Sequence, residues 1–319
     1  MKGATSVHAS RRLIQRVLGL LWLLDGLLQL QPFMFGRGFA DQILAPTADG
    51  QPSWISAPVH FFAGVIRTDP ALLNAVFAAV QILIGVGLLI PRTLRLALAI
   101  SIVWGGSVWW FGEGLGGLAN AHASIITGAP GAVILYTLLA AAAWPRARPA
   151  NQAVNTSPAS WLPQAWAVIW VGGAVLQSLP ARRGSHDLAT QLAANADGAP
   201  AWLAATDRTA SHLVAAGGPA LLIALVLAMT AIGLAGLYSG FARRAATIAG
   251  VLLALVFWVA AQNLGGLYTG QATDPNSGPL LVLLGFAVAN AATRPVRSPI
   301  AAYTRQPNRC QHASLAARG

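Results

Sequence analysis

Apolar residues in this chain gather in eight stretches bounded by charge, Pro and Gly, at 13–31, 71–90, 94–111, 128–144, 163–179, 219–238, 245–261 and 278–292. Stretches of this length and purity read as membrane-crossing helices. Several hold only 15–18 residues, at or just below the ~17–25 usually needed. The pattern therefore predicts helix ends buried in protein, or a locally thinned bilayer.

The eight stretches are not independent, because the chain matches itself at a spacing of 147–149 residues. "WLLDGLLQLQP" (22–32) aligns with "WVGGAVLQSLP" (170–180), keeping Trp22/Trp170, Gln29/Gln177 and Pro32/Pro180. "ADGQPSW" (48–54) aligns with "ADGAPAW" (196–202), "GLLIPRTLR" (87–95) with "GLYSGFARR" (236–244), and "WWFGEGLGGL" (109–118) with "WVAAQNLGGL" (258–267). Each unit would hold four spans and an outer loop of about 35–40 residues after the first. Four is even, so both copies share one orientation about a pseudo-twofold axis along the membrane normal. The expected fold is an all-α polytopic membrane protein, with eight transmembrane helices as two parallel four-helix repeats. Its parts are an N-terminal segment 1–12, repeats 13–145 and 161–295, a linker 146–160 and a basic, disordered tail 296–319.

Composition agrees with lipid as the solvent: 55% of residues are hydrophobic, 9% are charged and the mean hydropathy is +0.60. A net charge of +11 first suggests nucleic acid. With the N-terminus cytoplasmic, however, 15 of the 20 basic residues fall on the inner side, and all nine acids fall on the outer side or within spans. The charge is therefore topology, with both termini cytoplasmic in a plasma (inner) membrane and no nucleic-acid partner expected. No small-residue cleavage site follows the first apolar stretch, which reads as a retained anchor helix. The lone Cys310 excludes an intramolecular disulfide and a Cys-cluster metal site, and no haem or Fe–S cluster is expected.

Six polar or aromatic positions stand out within or beside the spans, and two more extend the set. Asp25 lies nine residues beyond Arg16, roughly 13 Å deeper along a helix, where an ionisable group is costly and functional by default. Gln29 is one turn further on the same face, so the two could share a hydrogen bond or a proton; helix-to-helix glue is the plainer reading. In the second copy Gly173 and Gln177 stand at these positions. Glu113 sits among Gly112, Gly114, Gly116 and Gly117, and Gln262, followed by Asn263, is its uncharged counterpart. If the pseudo-twofold joins these segments, an acid and an amide face one outward crevice flanked by Trp109 and Trp258. The alternative is that Gly112-x-x-x-Gly116 and Gly266-x-x-x-Gly270 are close-packing surfaces and Glu113 merely reaches water. His60 and His122 are weak metal candidates without paired ligand spacing.

The four-span unit, its first helix "LLWLLDGLLQLQP" ending in polar residues and Pro, and the "FGEGLGG" segment resemble the DoxX-like membrane proteins, here duplicated in tandem. They are similar also to uncharacterised actinobacterial integral membrane proteins. The resemblance covers both repeats and implies an association with respiratory or thiol-sulfur redox chemistry; the first expectation is a redox-linked subunit that binds a quinone or other lipid-soluble molecule near Asp25, Gln29 and Glu113, beside a respiratory or redox membrane complex. No catalytic motif accompanies it. A small-solute transporter with its path at the repeat interface, and a non-catalytic assembly factor, are the competing readings.

Overall fold

The computed structural model describes residues 2–120, 123–145, 159–179 and 185–291, with side chains from residue 11 onward except that of Ser185. His122, most of the linker and the tail with Cys310 lie outside the described residues. Those described form ten α-helices joined by short turns of tighter or wider helix, with no strand among them. They are α1 (Lys2–Leu28), α2 (Ser53–Thr68), α3 (Pro70–Leu89), α4 (Leu94–Phe111), α5 (Ala132–Ala142), α6 (Leu162–Ser178), α7 (Ser185–Asn195), α8 (Ala201–Gly236), α9 (Phe241–Ala260) and α10 (Ser277–Ala289). Four of them, α3, α4, α8 and α9, are long and apolar enough to cross a membrane.

These helices bury one face and show the other. On α1 the buried face runs Ile14, Leu18, Trp22 and Asp25 and continues to Gln29 just past its end, whereas Leu13, Leu20 and Leu27 are exposed. Leu96, Ile100 and Val103 on α4 and Ile248, Leu252 and Val256 on α9 are exposed in the same way. Apolar rows turned outward on successive helices would be an aggregation liability in water; in lipid they are the solvated surface.

The segments after α1 and α6, expected to be loops, are largely helical. A 35-residue structureless connection would leave too many backbone groups unsatisfied. In the first half of the chain Asp69 separates α2 from α3 and caps the latter, its carboxylate accepting from the Leu72 N–H. In the second half the break is a kink within α8, where Gly218 takes φ 53° ahead of Pro219.

Helix α1 packs on α3, α3 on α4 and α4 on α5; α6 packs on α8, α8 on α9 and α9 on α10. At the centre α5 and α10 touch each other and α1, and α10 also touches α6. Both central helices are short and apolar on nearly every side, as fully buried helices are. At 11 and 13 residues they span roughly 17 and 20 Å, well short of a ~30 Å hydrocarbon layer.

Candidate functional site

Beyond α4 and α9 the backbone makes the same manoeuvre twice. Glu113 (φ −96°, ψ 1°) and Gln262 (φ −106°, ψ 2°) have matching torsions. The four residues after each then enter the left-handed region: Gly114, Leu115, Gly116 and Gly117 at φ 52°, 56°, 62° and 72°, and Asn263, Leu264, Gly265 and Gly266 at 51°, 55°, 70° and 67°. Consecutive left-handed residues are rare in L-peptides, and a leucine there is strained by about 1–2 kcal/mol. Gly116 also touches the next segment so closely that a β-carbon would sit 1.8 Å from the Pro130 carbonyl oxygen; at Gly265 the same addition would come within 2.5 Å of Pro275. The glycines therefore turn the chain, and the expected Gly-x-x-x-Gly helix surfaces do not form, since neither pair lies in an α-helix.

The turn delivers a side chain to a helix end. A Glu113 carboxylate oxygen accepts from the Val133 N–H at 3.2 Å, at the start of α5. Gln262 does the same for α10, its Oε1 accepting from the Gly278 N–H and the Ser277 hydroxyl, both at 3.2 Å. Each is a capping group borrowed from a distant loop to satisfy first-turn donors that have no partner within the helix. The indole N–H groups of Trp109 and Trp258 donate to the Pro130 and Pro275 carbonyls, both at 2.7 Å, and pin the same two junctions. Both tryptophans thus fasten the loops and are not free to hold a ligand by that group.

Glu113 and Gln262 do not share one crevice as expected; they line two adjoining cavities. The first, of about 580 Å³, is lined by Asp49, Gln51, Glu113, Asn120, Ser124, Asp274 and Asn276 together with small residues. Among the described residues that line it are three carboxyl groups and no basic or aromatic side chain. The second, of about 350 Å³, is lined by the amides Gln191, Asn195, Gln262, Asn263 and Asn276. Thr127 and Asn276 border both. Gln262 also donates to the Ile126 carbonyl at 3.3 Å, so the amide ties the two halves of the chain together in a way a carboxylate would not.

Burial, reinforced by the Asp274 carboxylate, pushes the Glu113 carboxyl up to about 8, against the lowering pull of the Val133 and Ala132 N–H groups. Burial raises Asp274 as well, although it accepts from the Asn276 N–H at 2.7 Å and the Thr273 hydroxyl at 2.9 Å. The second Glu113 oxygen is buried without a hydrogen-bond partner.

Asp25 is 3% exposed on α1 and lies within electrostatic reach of Asp274 and Glu113. The Tyr136 hydroxyl is its neighbour on α5, but neither that hydroxyl nor the Asp25 Oδ1 makes a hydrogen bond of good geometry. Tyr136 is fully buried, with its ring 4.6 Å from Trp22, whose indole donates to the Ser101 hydroxyl. The expected Asp25–Gln29 side-chain bond is not made: the Gln29 Oε1 is without a partner, and it is the Gln29 backbone carbonyl that accepts, at 2.7 Å from the Asn74 amide on α3. Gln177 instead crosses to the first half of the chain, accepting from the Ser124 hydroxyl at 2.9 Å. Gly173, in the place of Asp25, lies against Ile125. One interface is thus acidic where the matching one is packed with hydrocarbon.

The structure joins Glu113 with Asp274 and Asp25, and Gln262 with Asn263; His60 stays apart, exposed on α2. Among the described residues no three His, Cys, Asp or Glu side chains are grouped to hold a metal ion. Three positions went unrecognised in the sequence. Asp274 and Asn276 lie in "DPNSGP", which reads as turn chemistry alone. Asp207, a residue within α8 that faces Tyr268, is fully buried with both carboxylate oxygens unpartnered, and nothing in the sequence sets it apart from exposed acids. No protein-family model, curated protein or solved structure matches this chain.

Proposed function

We propose that the protein is a carrier for a small organic cation, built as eight spans in two parallel four-helix repeats, in the plasma (inner) membrane with both termini cytoplasmic. The observation that carries this reading is the lining of the larger cavity: Asp49, Glu113 and Asp274 with polar amides, and no basic or aromatic side chain among the described residues that line it. Such a lining attracts positive charge and offers hydrogen bonds to ammonium groups. Its volume exceeds what an inorganic ion needs and suits an amine of several heavy atoms.

The repeat reading draws support from the paired turns, caps and tryptophan bonds described above. Orientation is supported by the placement of 15 of the 20 basic residues in the segments read as cytoplasmic. That orientation turns the acidic cavity outward. Kinship with DoxX-like proteins belongs to the same proposal, on the strength of the four-span unit. The quinone reading that this kinship implies is weaker on such a lining, because a quinone ring favours apolar and aromatic walls.

Radiolabelled putrescine uptake into proteoliposomes tests the proposal. Accumulation should saturate, and Asp274→Asn should reduce it at least ~10-fold, the loss of one charge-assisted contact. Absence of uptake and of binding, together with near-stoichiometric quinone in an organic extract, would sink the proposal in favour of a redox-associated subunit.

A further inference from the structure

The acidic cavity has a second tier that no ligand in the cavity would touch. Glu113 caps α5 at Val133, and Tyr136 follows three residues later, about 4.5 Å further along the helix. Tyr136 neighbours Asp25, which sits in the buried face of α1. A carboxyl and a phenol are therefore stacked beneath the crevice, both more than nine-tenths buried and both with an oxygen that has no partner. A buried oxygen without a partner costs about 1–3 kcal/mol if it does nothing, so an arrangement with two of them side by side calls for an explanation.

The charges acting on Asp25 are those of Asp274 and Glu113 from the two loops, and the Tyr136 hydroxyl from α5 is its polar neighbour. From α3 the buried polar groups are the amides Asn74 and Gln81, from α4 the Ser101 hydroxyl, and from α10 the Ser277 hydroxyl; none of these is basic. With no cation among the described residues around them, three carboxyl groups that act on one another do not all ionise, and the group holds protons as a set.

We propose that Asp25 and Tyr136 form a proton-holding pair beneath the crevice, and that an organic cation entering the crevice releases a proton from the Asp25, Glu113 and Asp274 set. This rests on the cation reading of the cavity and specifies its coupling. The exchange balances: the ammonium brings one positive charge, one carboxylic O–H bond breaks, and the proton passes to water in the crevice. No bond to carbon changes and no electron moves. Tyr136, whose hydroxyl neighbours Asp25, relays the proton by donating to one oxygen as it accepts from another. The second half of the chain has no such pair, since Gly173 replaces Asp25, so the coupling belongs to one interface of the two.

The test is calorimetry of the purified protein in lipid nanodiscs with putrescine, repeated in buffers of different ionisation enthalpy near pH 7, which yields protons released per cation bound. The wild-type protein should release about one. Asp25→Asn should still bind putrescine but release fewer protons than the parent, and Tyr136→Phe should slow release in a stopped-flow indicator assay at least ~10-fold. No putrescine binding by wild-type protein would overturn the cation reading and this coupling with it. Binding that releases no proton, or releases the same number in Asp25→Asn, would overturn the coupling alone. Should Asp25→Asn fail to fold, Tyr136→Phe decides, with unchanged release kinetics counting against the pair.

Discussion

Glu113 and Gln262 occupy the same backbone geometry, follow the same helix exit and cap equivalent short helices, yet one is an acid and the other an amide. Because the cap is common to both, capping alone does not require the charge. The amide adds what an acid could not, a donated bond to Ile126 across the molecule. The acid adds what an amide could not, a titrating oxygen left unpartnered beside Asp274 and Asp25. One site closes the interface between the halves; the other keeps it chemically open.

The shared part of the comparison should break first. Gly116→Ala places a β-carbon against the Pro130 carbonyl and should destabilise the protein by about 3–5 kcal/mol. Gly265→Ala should cost somewhat less, its contact being 2.5 Å against 1.8 Å. Thermal unfolding in mild detergent orders the two, and equal stability of Gly116→Ala with the parent would dismiss the tight turn. Removing the caps comes next: Gln262→Ala loses both the α10 cap and the Ile126 bond, about 2 kcal/mol, and Glu113→Ala about 1 kcal/mol.

Exchanging the two groups sharpens the contrast. Gln262→Glu brings a further acid toward Asp274 and forfeits the donor to Ile126, so it should destabilise by about 1–2 kcal/mol and more as pH rises. The smallest effect is expected of Glu113→Gln, whose geometry the second half of the chain already uses. It should fold normally and alter the pH profile. The folded Glu113 pKa lies above the ordinary carboxylate range, so between that range and about 8 the folded state holds the extra proton. Stability is consequently lost as pH rises through that window, and Glu113→Gln should flatten that part of the slope. A melting temperature that climbs with pH from 5 to 8 in the parent would contradict this sign.

Much of this comparison is visible in the sequence, and its limits have physical causes. The strings "WWFGEGLGGL" and "WVAAQNLGGL" announce paired segments, and the apolar stretches locate α3, α4 and α9 within a few residues, whereas α1 and α8 begin 11 and 18 residues before the stretches at 13–31 and 219–238. What the capping groups reach is not legible, because Glu113 and Val133 are 20 positions apart and meet only through a left-handed turn. Propensity rules disfavour that turn at Leu115 and Leu264. Helix α2 was hidden by its Pro58 and His60, and α7 by a polar composition that resembles a loop's. Asp25 was recognised by its depth alone, whereas Asp274 was masked by turn residues on either side. Hydrophobic periodicity reports which face meets hydrocarbon; it carries no information about which loop folds back onto a helix end.

The shortness of α5 bears on electricity as well as on packing. A membrane potential falls across the layer that conducts least, and where water enters from one face down to Glu113, that layer shrinks to the ~17 Å of an 11-residue helix. The field there is steeper than in the surrounding lipid, nearly twofold if the drop is confined to that length of a ~30 Å slab. A charge crossing the whole drop exchanges about 2.3 kcal/mol per 100 mV. On the coupling proposed above, a proton moving between Glu113 and Asp25 would travel within that thin septum, and voltage itself would act on the balance between the two tiers.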